Sequence, residues 1–184
     1  MNQTSQRLFF ALWPSAAVAD EIMAWARDAH ALCGGRMMRA ETLHMTLAFL
    51  GNTPADRVHD LVRAASAWVV PVGMLQLKCF GRFSGPRVVW AGPSSADDDR
   101  VLWLDDAYAA VWSKLEAAGW QRPASLFRPH VSLLRKAGPC DPGQLSRPSL
   151  SWTPERCVLV ASSPGEGGSN YEILARLPIR HRDC

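Results

Sequence analysis

No apolar run in this chain approaches the roughly 18 residues that a membrane-spanning helix requires; the longest are strand-sized. The opening, MNQTSQR, lacks the basic-then-apolar order of a secretory signal, so a cytoplasmic protein is expected. Cysteine is scarce and poorly placed for a framework. Cys33, Cys79, Cys140, Cys157 and Cys184 are odd in number, scattered and never spaced C-x-x-C, which argues against disulfides and structural zinc and predicts reduced thiols. Strong charge is missing too. A net charge of +3 and a pI near 8.7 permit a phosphate-bearing ligand but fall short of a protein that wraps long nucleic acid. The absence of a G-x-x-x-x-G-K-[ST] loop gives no sign of ATP use.

What is present suffices for a buried core: 184 residues, 48% of them apolar. RLFFALW (7–13) reads as a strand, and the segment from Pro14 to the Gly34-Gly35 stop reads as a helix. LHMTLAFLG (43–51) is the next strand. RVVWAG (87–92), a helix ending at Gly119, and PHVSLLRK (129–136) repeat that β-α-β order. A further helix is expected at about 54–68, and further strands at about 74–83, 156–163 and 170–177. Linkers rich in Pro, Gly, Ser and Asp are too short to separate independent domains, so residues 1–184 are read as one domain of two pseudo-symmetric lobes. The acidic triplet Asp97-Asp98-Asp99 reads as a solvated helix start, because three consecutive residues cannot face one ion from a regular element.

The two motif strands carry the chemistry. His44 and His130 stand 86 residues apart in near-copies of one pattern, apolar-His-x-Thr/Ser-apolar. Side chains alternate along a strand, so His44 and Thr46 share one face, and His130 and Ser132 repeat the arrangement. A single histidine of this kind is usually a core imidazole satisfied by backbone; the repetition at equivalent places in two units favours function. Two imidazoles facing one another supply a general base and a general acid near neutral pH, and two hydroxyls can donate to anionic oxygens. That set meets the needs of phosphoester cleavage without a metal. Ser132 lies outside any G-x-S-x-G elbow, and the motifs contain no H-E-x-x-H, paired cysteine or carboxylate, so serine acyl transfer and zinc chemistry fit poorly.

With RLFFAL, LHMTLAFLG, RVVWAG, FRPHVSLLR and VLVASSPGEGGSNYEIL in this order, the chain resembles the two-histidine (2H) phosphoesterases, and within them the RNA 2′,3′-cyclic phosphodiesterases, also called 2′-5′ RNA ligases. The resemblance implies an α+β, bilobal fold with duplicated β-α-β-type halves and antiparallel sheets flanking a central cleft. It implies opening of a 2′,3′-cyclic phosphate at an RNA end to a 2′-phosphomonoester, with no metal or other cofactor and with possible 2′-5′ ligation in addition. By this similarity His44 and His130 are catalytic, and Thr46 and Ser132 bind phosphate, Ser132 replacing the commoner threonine. His44 would protonate the departing 3′ oxygen and His130 would activate water. Arg135 matches a phosphate- or ribose-binding arginine, although simple alternation points it away from His130 unless a bulge intervenes. Phe10 and Phe49 match aromatics that stack on a base, although alternation places Phe49 opposite His44. Lys136, Arg128 and Tyr171 receive no role, and His30, His59 and His181 read as exposed and ordinary. The expected partners are RNA ends or small cyclic nucleotides, with the chain a monomer away from membranes. Two alternatives are a 2H enzyme acting on another cyclic or 2′-5′ linked nucleotide, and an RNA-end-binding module without turnover.

Overall fold

The computed structural model describes residues 5–93, 100–166 and 168–182. The first apolar run extends as β1 (Ser5–Trp13), and Ser15 then caps α1 (Ala16–Cys33), its hydroxyl accepting from the Val18 amide at 3.4 Å. After β2 (Arg36–Met37), a 3₁₀ turn (Ala40–Thr42) leads into β3 (Met45–Pro54) and α2 (Ala55–Ala65). Four strands follow: β4 (Val70–Val72), β5 (Leu75–Leu77), β6 (Cys79–Phe83) and β7 (Val88–Gly92). Then come α3 (Leu102–Ala117), β8 (Val131–Arg135), a second 3₁₀ turn (Pro142–Gln144), β9 (Leu150–Trp152), β10 (Arg156–Gly165), β11 (Gly168–Leu177) and β12 (Ile179–His181).

The strand expected over 74–83 is two. β5 pairs with β9 and β6 with β7, and the break falls at Lys78, whose amide donates to the Gly92 carbonyl at 3.0 Å. β2, β4, β9 and β12 are two or three residues long, too short to leave a periodic trace in the sequence. Asp97-Asp98-Asp99 lies outside the described residues. Among the described residues no helix is long and apolar enough to cross a membrane.

The main sheet runs β11-β10-β1-β3-β8-β7-β6, with β2 also on β8, and its pairings are antiparallel throughout. The fold is α+β, as the sequence predicts. Its two β-α-β units, β1-α1-β3 and β7-α3-β8, meet at one backbone pair, Met45 with Val131. These are the residues that follow the two motif histidines. β3 and β8 both begin there and run apart in opposite directions, which is the geometry of a pseudo-twofold axis between Met45 and Val131. Each helix packs on the other unit's motif strand, α1 on β8 and α3 on β3. One sheet face is thereby closed over Phe10, Leu12, Met45, Val131, Ile22 and Trp112, all buried. The opposite face carries a smaller cluster of Phe9, Ala11, Trp13, Val158 and Val160, with Tyr171 against it.

The prediction of five reduced thiols is corrected by a disulfide between Cys33, the last residue of α1, and Cys140. They are 107 residues apart in sequence, but the chain after β8 returns to the end of α1, where the Gly138 amide donates to the Cys33 carbonyl at 2.8 Å. Cys79 and Cys157 are free. Gly35 makes this return possible: φ is 86°, and a Cβ there would lie 2.8 Å from backbone atoms of Ala137 and Arg135.

Candidate active site

His44 and His130 sit one residue ahead of the Met45–Val131 pair, each braced by its own backbone. The Nδ1 of His44 lies 2.7 Å from the Thr42 carbonyl, and that of His130 lies 2.8 Å from the Arg128 carbonyl. A carbonyl only accepts, so each Nδ1 carries the hydrogen and each Nε2 is left with the lone pair. The 3₁₀ turn supplies the first brace, its Thr42 hydroxyl donating to the Arg39 carbonyl at 2.8 Å.

Aromatic rings wall each imidazole. Phe9 lies 4.8 Å from His44 between ring centroids, Trp13 stacks on it at 5.5 Å, and Tyr171 meets it edge-on at 5.5 Å. On the other side Phe83 meets His130 at 4.9 Å and Trp90 at 6.2 Å. Trp90 packs against Gly81, where a Cβ would collide with the indole. Burial against these rings disfavours imidazolium. It is the largest cause holding His44 down at about 4 and His130 below its ordinary value. The carbonyl acceptors work upward, and the Arg135 guanidinium works downward on both rings.

Two β-bulges decide what else faces the cleft. Ala11 pairs with Thr46 and Phe10 with Ala48, leaving Leu47 over. Thr46 and Phe49 consequently lie on one face, that of Ala11 and Phe9, rather than alternating as the sequence suggests. In the other unit Trp90 pairs with Ser132 and Val89 with Leu134, leaving Leu133 over, and Arg135 emerges exposed on the face of Ser132. This is the bulge that a cleft-facing Arg135 requires. Phe49 and Arg135 occupy equivalent positions, each five residues after its histidine. Phe49 is 49% exposed, with the Arg7 guanidinium 4.8 Å from its ring centre.

The expectation for Phe10 is corrected. It is fully buried on the core face, stacked on Trp68 at 5.5 Å, and Phe9 is the aromatic beside His44. Thr46 and Ser132 are half-buried, and among the described residues neither hydroxyl has an intramolecular hydrogen bond. Both are therefore available to a ligand. Among the described residues no group of three or more His, Cys, Asp or Glu is placed to hold a metal ion.

The profile of the family described as LigT like Phosphoesterase matches residues 12–90. The RNA 2′,3′-cyclic phosphodiesterase of Escherichia coli (strain K12) is 30% identical over 93% of this chain and 95% of its own length. The chain belongs to the LigT-like phosphoesterase family. The RNA 2′,3′-cyclic phosphodiesterase of Thermus thermophilus is 26% identical, with coverage of 95% of this chain and 90% of its own length. The crystal structure of Escherichia coli LigT complexed with 3′-AMP superposes with a TM-score of 0.76 at 28% identity, covering 96% of this chain and 99% of that one.

Phe9, Trp13, Phe83, Trp90 and Tyr171 stand around the two histidines of this LigT-like cleft, yet sequence reasoning gave none of them a place in it. Phe9 and Trp13 were within reach, since both share a strand face with Ala11 by simple alternation. Tyr171 comes from β11, two strands away from β1, and nothing local marks it. Arg128 and Lys136 are exposed, as are His30, His59 and His181.

Proposed function

We propose that this LigT-like phosphoesterase hydrolyses 2′,3′-cyclic phosphate ends of RNA to 2′-phosphomonoesters by general acid–base catalysis between His44 and His130. His130 takes a proton from water, whose oxygen attacks phosphorus; the bond from phosphorus to the 3′ oxygen breaks, and His44 delivers a proton to that oxygen. The Thr46 and Ser132 hydroxyls and the Arg135 guanidinium hold the non-bridging oxygens, and Phe49 offers its exposed ring to the terminal base. A 5′-hydroxyl in the place of water would give a 2′-5′ linkage with the same bond broken, which is the ligase direction. The enzyme acts as a monomer in the cytoplasm, one domain of two lobes with the cleft between them.

The observation that supports this most strongly is the matched bracing of the two imidazoles, each with Nδ1 on a carbonyl two residues upstream and Nε2 free. With both Nε2 atoms turned to the cleft, the ring whose Nε2 is bare can accept a proton and the ring that is protonated there can donate one. The relatives named above support the substrate class.

Turnover of a 2′,3′-cyclic nucleotide, followed by phosphorus NMR of the product, tests it. The wild type should yield the 2′-phosphate, and His44→Ala and His130→Ala should each lose roughly 10²- to 10⁴-fold in rate with unchanged circular dichroism. A folded variant that keeps near wild-type turnover would sink the two-histidine mechanism.

A further inference from the structure

Tyr171 stands beside His44 with no part in the reaction assigned above. β11 brings it to the sheet face of Phe9 and Trp13, where its half-buried ring lies 5.5 Å from His44 with the planes at 81°. Phe9 at 5.1 Å and Trp13 at 6.2 Å meet the same ring edge-on, so three aromatic contacts fix where it lies. Across the pseudo-twofold, Phe83 lies 4.9 Å from His130, also with the planes at 81°. The two imidazoles thus have matching edge-on neighbours, which differ by one oxygen, the phenol oxygen on the His44 side. Among the described residues that hydroxyl has no intramolecular hydrogen bond. Burial is the largest cause pushing the phenol up from its ordinary value, so it stays a donor where the histidines titrate. The Arg135 guanidinium works downward on it, as on both imidazoles, so one cation is felt by all three rings. Tyr171 and Arg135 also line one small pocket, with Thr42, whose carbonyl braces His44, on its wall. Its volume of about 20 Å³ takes a single oxygen-sized group.

We propose that the Tyr171 hydroxyl binds the substrate phosphate, donating to a non-bridging oxygen that the Arg135 guanidinium also holds in the small pocket between them. It rests on the assignment of the histidine pair to the terminal cyclic phosphate. A ring needed only to wall His44 would do without the oxygen, as Phe83 does beside His130. A donor on a ring already fixed by three neighbours loses little freedom when a ligand arrives, which favours binding. The phosphate then has a third hydroxyl beside those of Thr46 and Ser132, and this one belongs to the His44 side alone.

Tyr171→Phe removes the oxygen and keeps the ring, so the packing around His44 is retained. Its kcat/KM on a 2′,3′-cyclic nucleotide should fall roughly 10- to 100-fold, and calorimetry should show the mononucleotide 2′-phosphate bound about 10-fold more weakly. The pH position of its kcat/KM bell and its thermal midpoint should match the wild type, because the ring still buries His44. A Tyr171→Phe protein within about 2-fold of wild type in both kcat/KM and product affinity overturns the proposal and reduces the residue to a wall. A loss that comes with a displaced bell also overturns it, since the residue then acts through His44 rather than on the phosphate. Calorimetry needs no turnover, which separates this proposal from the one it rests on. A wild type that binds the 2′-phosphate without hydrolysing the cyclic ester removes the proposed catalysis, and the affinity of Tyr171→Phe still decides the role of the hydroxyl. A wild type that binds no 2′-phosphate overturns both.

Discussion

Burial and the carbonyl brace pull the two imidazoles in opposite senses, and burial prevails. His44 is held at about 4 and His130 below its usual value, so near neutrality both rings of the free protein are uncharged. A bound phosphate favours imidazolium and moves both upward. The proposed catalysis needs one ring protonated and one neutral, so kcat/KM, which follows the free protein, should trace a bell centred below pH 6.5. The bell for kcat should lie at higher pH, with apparent values belonging to the pair rather than to either ring. Replacing Arg135 with glutamine removes a cation that depresses both imidazoles, so its kcat/KM bell should move toward higher pH. A kcat/KM that climbs steadily from pH 5 to 9 would eliminate the protonated acid. The same shifts act on stability: the unfolded chain binds these protons near pH 6.5 and the folded one resists them. The stabilisation present above that pH is therefore lost as pH falls toward about 4.

The elements show where period-two reasoning holds and where it stops. His44 with Thr46, and His130 with Ser132, were legible because each pair precedes the first bulge in its strand. Phe49 and Arg135 come after it, and alternation alone turned both away from the cleft. The bulges were not legible because what holds them is distant in sequence. The surplus carbonyl of Leu47 accepts from the Trp112 indole of α3 at 3.3 Å, and that of Leu133 accepts from the Met38 amide at 2.9 Å. Phe10 was misplaced for a simpler reason: two adjacent phenylalanines compete for the cleft face, and only the pairing of β1 decides between them. Trp112→Phe keeps most of the packing but strands a buried carbonyl. It should cost about 1–3 kcal/mol in urea denaturation and raise KM by loosening Phe49 and Thr46. An unchanged denaturation midpoint would mean that the indole does not hold the bulge.

Across the whole molecule the two units are interlocked rather than merely apposed. α1 and α3 exchange motif strands, and the Cys33–Cys140 bridge fastens the end of α1 to the chain after β8. Cysteine spacing could not show this bridge, since the fold alone brings the two residues together. Closing a loop of 107 residues removes enough freedom from the unfolded chain to stabilise the oxidised protein by about 4–5 kcal/mol in the chain-entropy account. Cys140→Ser, or a reductant added to the wild type, should lower the thermal midpoint substantially. Turnover at 25 °C should persist, because Cys33 belongs to the large core while Phe9 and Trp13 beside His44 belong to the cluster on the opposite sheet face, and the apolar core remains. A Cys140→Ser protein with an unchanged midpoint under oxidising conditions would show that the bridge contributes nothing.

The axis between Met45 and Val131 also bears on which bond breaks. A cleft whose two sides are near-copies presents much the same hydrogen and the same lone pair to either ester oxygen of a cyclic phosphate. In the proposed mechanism the histidines and hydroxyls would therefore supply reactivity without direction. Direction has to come from where the copies differ, and five residues after each histidine they do, with an exposed aromatic ring on one side and a guanidinium on the other. Under the proposed mechanism, Phe49 and Arg135 would fix how the nucleoside lies across the axis, and so which oxygen meets the acid. Regiochemistry in the proposed reaction would then be a property of the cleft's broken symmetry.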